Sequence, residues 1–215
     1  MARANTRTRI LDTAERLFAE QGYAATSLRQ VCGKARVNLG SIHYYFKSKQ
    51  ELFRAVLSRR VRPLDTKRLE LLEQLESDGN LTLESVIEAF IGPGGALMLK
   101  DEGGAAWPKF VARSRLEPGL HWDVERERHE AMLRRFFNTL RKLLPELPAR
   151  ELAYRFYFLL GTASNTLIDT RSVDLPGGRI KSFEEDPKGV QRRLIAFVAA
   201  GMRAPLKSRS RRSST

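Results

Sequence analysis

The sequence is poor in the residues that build disulfides, metal centres and membrane spans. Its 215 residues include one cysteine and three histidines, so no internal disulfide can form, which agrees with a reducing compartment. The first twenty residues lack the apolar core of a signal peptide. Apolar runs such as FYFLLG are far shorter than the roughly 18 residues that span a bilayer. No glycine-rich phosphate loop or nucleophile elbow is present. These absences predict a cytoplasmic protein with no membrane association, cofactor or enzymatic activity.

The net charge of +13 is concentrated at the two ends of the chain. Residues 1–62 contain 13 lysines and arginines against 4 aspartates and glutamates, or +9, and the last eleven residues add +4. The residues between these segments are neutral in sum. This distribution is expected when one domain binds a polyanion and the rest of the chain has another role. The alternative is that the basic residues only solvate the surface.

Helical periodicity and capping residues recur along the chain, and no segment predicts a strand. A first helix is predicted to end near Gly22, a common C-terminal cap. Ser27 and Gln30 have the spacing of a capping box, Asn38 is a candidate cap, and Ser48 begins a long helix. Three short helices and a long one are therefore expected within the first 60 residues or so.

The link between the second and third helices is too short for antiparallel packing and favours a helix-turn-helix corner, whose second helix can enter the major groove. Gly40 and Ser41 would allow a close approach to DNA, while hydroxyl and cationic side chains would contact phosphates. Ile42, Tyr44 and Phe46 are expected in the core. Cys32 is interpreted as a residue that packs in the core as well. The predicted DNA-contacting residues are Thr26, Ser27, Arg29, Asn38, Leu39, Gly40, Ser41, His43, Tyr45, Lys47 and Lys49.

The run from Arg9 to Leu52 resembles the DNA-binding domain of TetR-type (TetR/AcrR-like) transcriptional regulators. The matching residues are Ile10-Leu11, Leu17-Phe18, Gly22, Thr26-Ser27, Gly40-Ser41-Ile42, Tyr44, Phe46, Ser48-Lys49 and Leu52. The chain departs from the family pattern at Arg36, where glycine or asparagine is common, and at His43 and Tyr45, where the family often has tyrosine and histidine. The resemblance implies a dimeric, all-α protein whose variable C-terminal domain binds a small molecule.

Three segments follow from this interpretation. Residues 1–50 are predicted to form a three-helix DNA-binding domain, residues 51–204 a larger helical domain for effector binding and dimerisation, and residues 205–215 a basic, disordered tail. The run Gly92-Pro93-Gly94-Gly95 is expected to kink or break a helix in the larger domain.

The larger domain holds candidate residues for an apolar effector pocket, and its body is faintly similar to a fatty-acid-responsive branch of the family. A packed core would use the same residues at the same spacing, so both interpretations stay open. The candidates that would line the pocket are Trp107, Phe110, Phe136, Phe137, Phe156, Tyr157 and Leu160, with Asn165 and Asp169 to orient a polar group.

Two long helices near the C-terminus are candidates for a four-helix dimer interface, because small residues in one of them allow close approach of a partner helix. An internal helix pair within one chain is the alternative. The predicted interface residues are Leu160, Ala163, Leu167, Leu194, Val198 and Gly201.

Two rival functions are considered. His121, Glu125 and His129 fall on one helical face and could bind zinc in a metal-dependent enzyme, although the same helix is a charged surface face. An effector-independent DNA-organising protein would also explain the basic ends. The sequence favours a homodimeric repressor that binds a palindromic operator in double-stranded DNA, is released by an apolar small molecule and holds no metal.

Overall fold

Helices make up most of the part of the chain that the structure describes. The computed structural model describes residues 2–99, 107, 110, 126–168 and 171–206, without the side chains of residues 2–5 and 126. The all-α prediction is confirmed. In chain order the elements are α1 (Ala2–Ala25), α2 (Leu28–Ala35), α3 (Leu39–Phe46), α4 (Lys49–Ser77), α5 (Leu83–Leu99), α6 (Arg126–Leu143), α7 (Ala149–Ile168), β1 (Val173–Leu175), β2 (Gly178–Ile180) and α8 (Pro187–Arg203).

The predicted caps define the first three helices. Gly22 interrupts the regular helical geometry of α1 with φ 83° and ψ 172°, a conformation that favours glycine. The Ser27 hydroxyl accepts a hydrogen bond from the Gln30 amide at 3.2 Å, and the Gln30 side chain accepts one from the Ser27 amide at 2.7 Å. Asn38 accepts from the Ser41 amide at 2.8 Å. The predicted helix end and both caps are confirmed.

Helix α4 runs through two hydrophobic cores. Its first half buries Leu52, Phe53, Val56 and Leu57 against α1, α2 and α3, which forms the N-terminal core. Its second half buries Leu72 in a separate core with the later helices, the body core. The expected domain boundary after residue 50 falls in the first turn of this helix, so a continuous helical backbone connects the two parts.

Helix α5 is continuous through Pro93, so the expected break there is wrong. The surrounding glycines are explained by packing. A Cβ atom on Gly95 would lie 2.6 Å from Cζ of Phe183, and one on Gly94 would lie 3.3 Å from Cδ1 of Leu167. The glycines therefore let neighbouring elements approach α5 closely, and burial of its apolar side chains stabilises the helix across the proline.

A short antiparallel hairpin separates α7 from α8, and no strand was predicted there. Val173 pairs with Ile180, Asp174 with Arg179 and Leu175 with Gly178. Gly178 has φ 117°, which requires glycine. Each strand has only three residues and every position is exposed, so the sequence contains too little alternation to mark it.

An ion pair joins the first turn of α5 to the last turn of α8, and its contribution to the free energy of unfolding depends on pH. Arg203 donates two hydrogen bonds to Glu84, one of them at 2.8 Å. Hydrogen bonding by Arg203, with a further backbone hydrogen bond, lowers the pKa of Glu84 from 4.5 to about 2. Because the folded pKa is depressed, the stabilisation is present above pH 4.5 and is lost as the pH falls through about 2.

Glu84→Gln should therefore lower the urea midpoint of unfolding at neutral pH, by a small amount because both groups are exposed. The difference from the unmodified protein should shrink between pH 4.5 and pH 2. Urea titrations at several pH values measure this difference in midpoint. Glu88→Gln, one turn further along α5, is the control that should change neither the midpoint at neutral pH nor its dependence on pH. A difference that stays constant over this range would contradict the assignment.

Candidate nucleic-acid interface and ligand groove

The turn between α2 and α3 is held by one left-handed arginine and by a second arginine from α1. Arg36 adopts φ 51° and ψ 52°, which costs a residue with a Cβ atom about 1 kcal/mol. The Arg9 guanidinium donates to the carbonyl oxygens of Ala35 and Arg36, at 2.6 and 2.9 Å. Because these carbonyls follow the end of α2, Arg9 fixes the direction in which the chain enters α3. Sequence reasoning missed Arg9, since its partners lie 26 and 27 residues away.

The inner face of α3 consists of Ile42 and Phe46, which are buried in the N-terminal core as predicted. Tyr44 is 70% exposed, so the prediction that it belongs to the core is wrong. Two residues along a helix turn the side chain by about 200°, which puts Tyr44 opposite Ile42. Cys32 on α2 is half-buried against the same core, as predicted, and desolvation raises the pKa of its thiol.

The outer face of α3 presents Leu39, Gly40, His43 and Tyr44 to solvent. Nδ1 of His43 lies 3.0 Å from the carbonyl oxygen of Lys47, and a carbonyl oxygen can only accept, so Nδ1 carries the proton. The neutral imidazole is then left with Nε2 as an outward hydrogen-bond acceptor. Tyr45 is half-buried and packs edge-to-face on Tyr44, with ring centroids 5.0 Å apart.

Other side chains predicted to contact DNA, which are Thr26, Ser27 and Lys49 for phosphate and Arg29 for a base, occupy different environments around α3. Thr26 is 1% exposed and its hydroxyl donates to the Gly22 carbonyl at 2.7 Å, so this hydroxyl does not reach the surface. Ser27 and Arg29 are exposed at the start of α2. Lys49 places its Nζ 4.2 Å from the centre of the Tyr23 ring and donates to the Ala24 carbonyl.

The N-capping side chain of α3, Asn38, already makes hydrogen bonds within the helix. Asn38 accepts from the backbone amide of Ser41 and from its hydroxyl, at 2.8 and 2.9 Å. Both residues are thereby oriented before any ligand binds. Lys47 is exposed at the other end of α3 and has a positive φ of 60°. The Asn38 side chain thus caps the start of α3, and the His43 ring contacts the Lys47 carbonyl at its end.

The candidate effector residues are divided between two cores and the surface. Trp107 and Phe110 are buried in the N-terminal core, where the Phe110 ring lies 5.2 Å from that of Phe53. Tyr157 is 69% exposed. Phe136 and Phe156 are buried in the body core, with Phe137 and Leu160 partly buried against it. Asn165 is exposed, and Asp169 lies outside the described residues. The described members of this set therefore lie in three different environments, and their assignment to an effector pocket stays a prediction.

A groove of about 780 Å³ lies elsewhere, between α4 and α5. Apolar side chains form most of its walls, and polar or charged side chains occur along its length. None of the candidate effector residues lines it. The lining residues are Arg59, Arg60, Pro63, Leu64, Lys67, Leu71, Gln74, Leu75, Asp78, Ser85, Glu88, Ala89, Gly92, Pro93, Ala96, Leu97 and Gln191.

The predicted dimer residues are mostly covered within one chain. Ala163 and Leu167 on α7, and Leu194 and Val198 on α8, are at most 7% exposed in the body core. Leu160 is half-buried and Gly201 is exposed. The exposed apolar side chains of these two helices are instead Tyr154, Tyr157, Phe158 and Phe197. The two helices were predicted, but Gly201 is the one predicted interface residue of this set that is exposed.

The metal-site alternative finds no support in its one described member. His121 and Glu125 lie outside the described residues, and Nδ1 of His129 is 2.8 Å from the buried carboxylate of Asp65. Asp65 also pairs with Arg68, whose pKa is lowered by burial despite the opposing charge of Asp65. Across the described ranges, no group of three or more histidine, cysteine, aspartate or glutamate side chains could hold a metal ion.

No helix within the described parts of the chain is long and apolar enough to cross a membrane.

Curated relatives match over short stretches. The HTH-type transcriptional regulator SrpR of Pseudomonas putida is 40% identical over 60 residues, 28% of this chain and 28% of that protein. The HTH-type transcriptional regulator AcrR of Shigella flexneri is 48% identical over 48 residues, 22% of each chain. The matched stretches thus span about a quarter of the length of these relatives.

Solved structures match over nearly the whole chain. The ketosteroid transcriptional regulator KstR2 of Mycobacterium tuberculosis has a TM-score of 0.63 and 19% identity, covering 91% of this chain and 93% of that one. NalD, the secondary repressor of the MexAB-OprM multidrug efflux pump in Pseudomonas aeruginosa, has a TM-score of 0.60 and 20% identity, covering 93% and 97%. At these identities the likeness shows a common fold.

Two family models match the chain itself. The one described as "Bacterial regulatory proteins, tetR family" matches residues 10–56, which include α2 and α3. The one described as "Tetracyclin repressor-like, C-terminal domain" matches residues 88–201, more than half of the 215 residues. The similarity to a fatty-acid-responsive branch stays a prediction. With its helix-turn-helix region and its helical body both matched, the chain belongs to the tetR family of bacterial regulatory proteins.

Proposed function

We propose that this protein is a homodimeric transcriptional repressor that binds a palindromic operator and is released by a small apolar effector. The observation that carries the proposal is the outer face of α3, where Gly40, His43 and Tyr44 are exposed on a helix held by caps and by the Arg9 contact. Members of the tetR family are DNA-binding regulators. A role in the cytoplasm, where DNA is accessible, follows from this function.

The exposed residues of α3 suit the major groove. Gly40 has no side chain, which lets the helix approach the bases closely. Nε2 of neutral His43 can accept a hydrogen bond from the exocyclic amine of adenine or cytosine. The Tyr44 hydroxyl can donate to a phosphate oxygen, and Lys47 and Arg29 add positive charge at the flanks. His43 is therefore proposed to read sequence, while the flanking groups position the helix on the backbone.

Dimerisation is proposed through the exposed faces of α7 and α8. Tyr157, Phe158 and Phe197 are 69%, 60% and 71% exposed, and clustered aromatic side chains of this kind mark interaction surfaces. A Cβ atom on Gly161 or Gly201 would meet nothing within 4 Å, so contacts with the described residues do not require these glycines. They allow a partner helix to approach closely, and a two-fold axis would put two α3 helices about 34–36 Å apart.

The proposed dimer has two conformations, which differ in the distance between its two α3 helices. Effector release requires that the small molecule bind more tightly to the conformation that does not fit DNA. Such a difference is typically worth about 1–3 kcal/mol, or 5- to 150-fold in affinity. An effector bound in the helical body can act on α3 through α4, because α4 contributes to both cores. The regulator is thus proposed to act by binding alone, with no chemical step.

The first experiment recovers the DNA that the protein binds. Purified protein is incubated with sheared genomic DNA of the source organism at moderate salt, and the bound fragments are sequenced. We expect a shared palindrome whose half-sites lie about one helical turn apart. Uniform recovery of all sequences would overturn the repressor proposal and favour an effector-independent DNA-organising protein.

Substitutions at Lys49 and His43 should affect binding differently. Lys49→Ala should weaken binding to all sequences alike and reduce the slope of log affinity against log salt by about 1, because one phosphate contact is lost. His43→Ala should keep the slope and change the preferred bases. Binding to the recovered palindrome and to point-mutated palindromes at several salt concentrations measures both effects.

Lys142→Ala, on α6 in the body, is the control that should leave both quantities unchanged. An unaltered salt slope for Lys49→Ala would show that Lys49 does not contact a phosphate. An unaltered base preference for His43→Ala would remove His43 from the reading surface.

A charge on the outward face of α8 should separate the dimer. Phe197→Glu puts a carboxylate where a partner helix would pack, so we expect a monomer by sedimentation velocity and weaker operator binding. Leu39→Glu, which also puts a carboxylate at an exposed apolar position but on α3, should stay dimeric. A Phe197→Glu protein that remains dimeric would place the interface elsewhere. Ala163 and Val198 are unsuitable positions for this test, because charges there would be buried within the chain.

A further inference from the structure

The groove between α4 and α5 is long and open at the side. Its lining residues run along α4 from Arg59 to Asp78, which is about 28 Å at 1.5 Å per residue. The short link between the two helices makes them antiparallel neighbours, so Leu97 lies near the Arg59 end and Ser85 near the Asp78 end. A volume of about 780 Å³ falls within the range of small-molecule sites, roughly 300–1,000 Å³.

The walls of the groove differ from one end to the other. The end next to α1 contains two cationic side chains, Arg59 and Arg60, and Lys67 lies about 12 Å further along α4. The opposite end contains the acidic Asp78 and Glu88 along with uncharged polar groups. The wall between and around them is formed largely by Pro63, Leu64, Leu71, Leu75, Ala89, Pro93, Ala96 and Leu97. An elongated apolar molecule fits this wall, and an anionic group at its end would lie beside Arg59 and Arg60 at the α1 end.

The same two arginines attach α1 to α4. Arg60 donates to the Glu15 carboxylate from Nη2 at 2.7 Å and from Nε at 3.2 Å. Arg59 donates to Glu15 as well, and to Asp12 at 2.5 Å. Glu15 is 3% exposed. Nε of Arg59 is buried without an acceptor in the part of the chain that the structure describes, so this guanidinium has donor capacity left.

We propose that the groove binds an elongated apolar molecule with an anionic head group, and that this head group competes with Glu15 for Arg59 and Arg60. The inference rests on the proposed effector-released repressor and names the chemical class of its effector. Asp12 and Glu15 already balance the two arginines, so an additional anion leaves excess negative charge in a partly buried place unless Glu15 departs. Glu15 can become hydrated only if α1 separates from α4, so ligand binding opposes the docking of α1.

The test measures binding to the full-length protein without DNA. Decanoate, decanol and decylammonium, which share one apolar chain and differ in charge, are titrated by calorimetry below their micellar concentrations. Decanoate should bind at least about 10-fold more tightly than the other two. Arg60→Gln should remove that preference while leaving decanol binding unchanged. Equal affinities for the three compounds, or an unaltered preference in Arg60→Gln, would overturn the proposal.

Glu15→Gln distinguishes competition from a purely structural role. Competition predicts that decanoate binds this variant more tightly, by a factor within the usual coupling range of about 5 to 150. A purely structural Glu15 would lower the melting temperature without raising the affinity, and that result would overturn the proposal. Arg54→Gln is the matched control, because Arg54 lies on α4 and pairs with Glu51 at 2.8 Å but does not line the groove.

A second variant covers the case in which Glu15→Gln does not fold. Ala96→Trp fills the groove from α5 and leaves the ion pairs with α1 untouched, so decanoate binding should fall at least 10-fold at an unchanged melting temperature. Full decanoate binding by Ala96→Trp would overturn the proposal. Because these titrations contain no DNA, their failure is distinct from failure of the repressor proposal, which the recovery of palindromic DNA tests separately.

Discussion

The ion pairs between Glu15 of α1 and Arg59 and Arg60 of α4 hold the helix-turn-helix region on the helix that continues into the body. A carboxylate buried this deeply is tolerated only with its cationic partners, and removing one side of such a buried pair typically costs about 3–5 kcal/mol. The pairs fix α1 against α4, and Arg9 of α1 in turn fixes the turn before α3. The orientation of the candidate DNA-reading helix is thus connected to the body by three arginines.

Local signals in the sequence predicted the helix ends well. The capping box at Ser27 and Gln30 and the cap at Asn38 involve residues three positions apart, so their geometry is set by the chain itself. Prediction was wrong at Tyr44, because a helix of eight residues leaves its buried face ambiguous when apolar and aromatic side chains lie on more than one face. It was also wrong at Pro93, where packing around α5 outweighed the local tendency to break.

Contacts between distant residues were the part that the sequence could not reveal. Phe136 and Phe156 have the pattern of a pocket wall and of a packed core alike, and only the tertiary arrangement shows that they are buried in the body core. The groove was missed because its cationic end depends on Arg59 and Arg60 meeting a helix more than 40 residues earlier. No periodicity in α4 distinguishes these two arginines from solvated ones.

The placement of Trp107 and Phe110 has a consequence for how this protein can be divided or recombined. Both rings pack in the N-terminal core beside Phe18 and Phe53, although they follow α5 in the chain. The helix-turn-helix region is therefore completed by side chains from beyond residue 100. A fragment cut after α4, or a chimaera that joins residues 1–56 to another regulator's body, would expose the Phe18 and Phe53 rings to water. The helix-turn-helix region of this regulator therefore shares its hydrophobic core with a segment that follows α5.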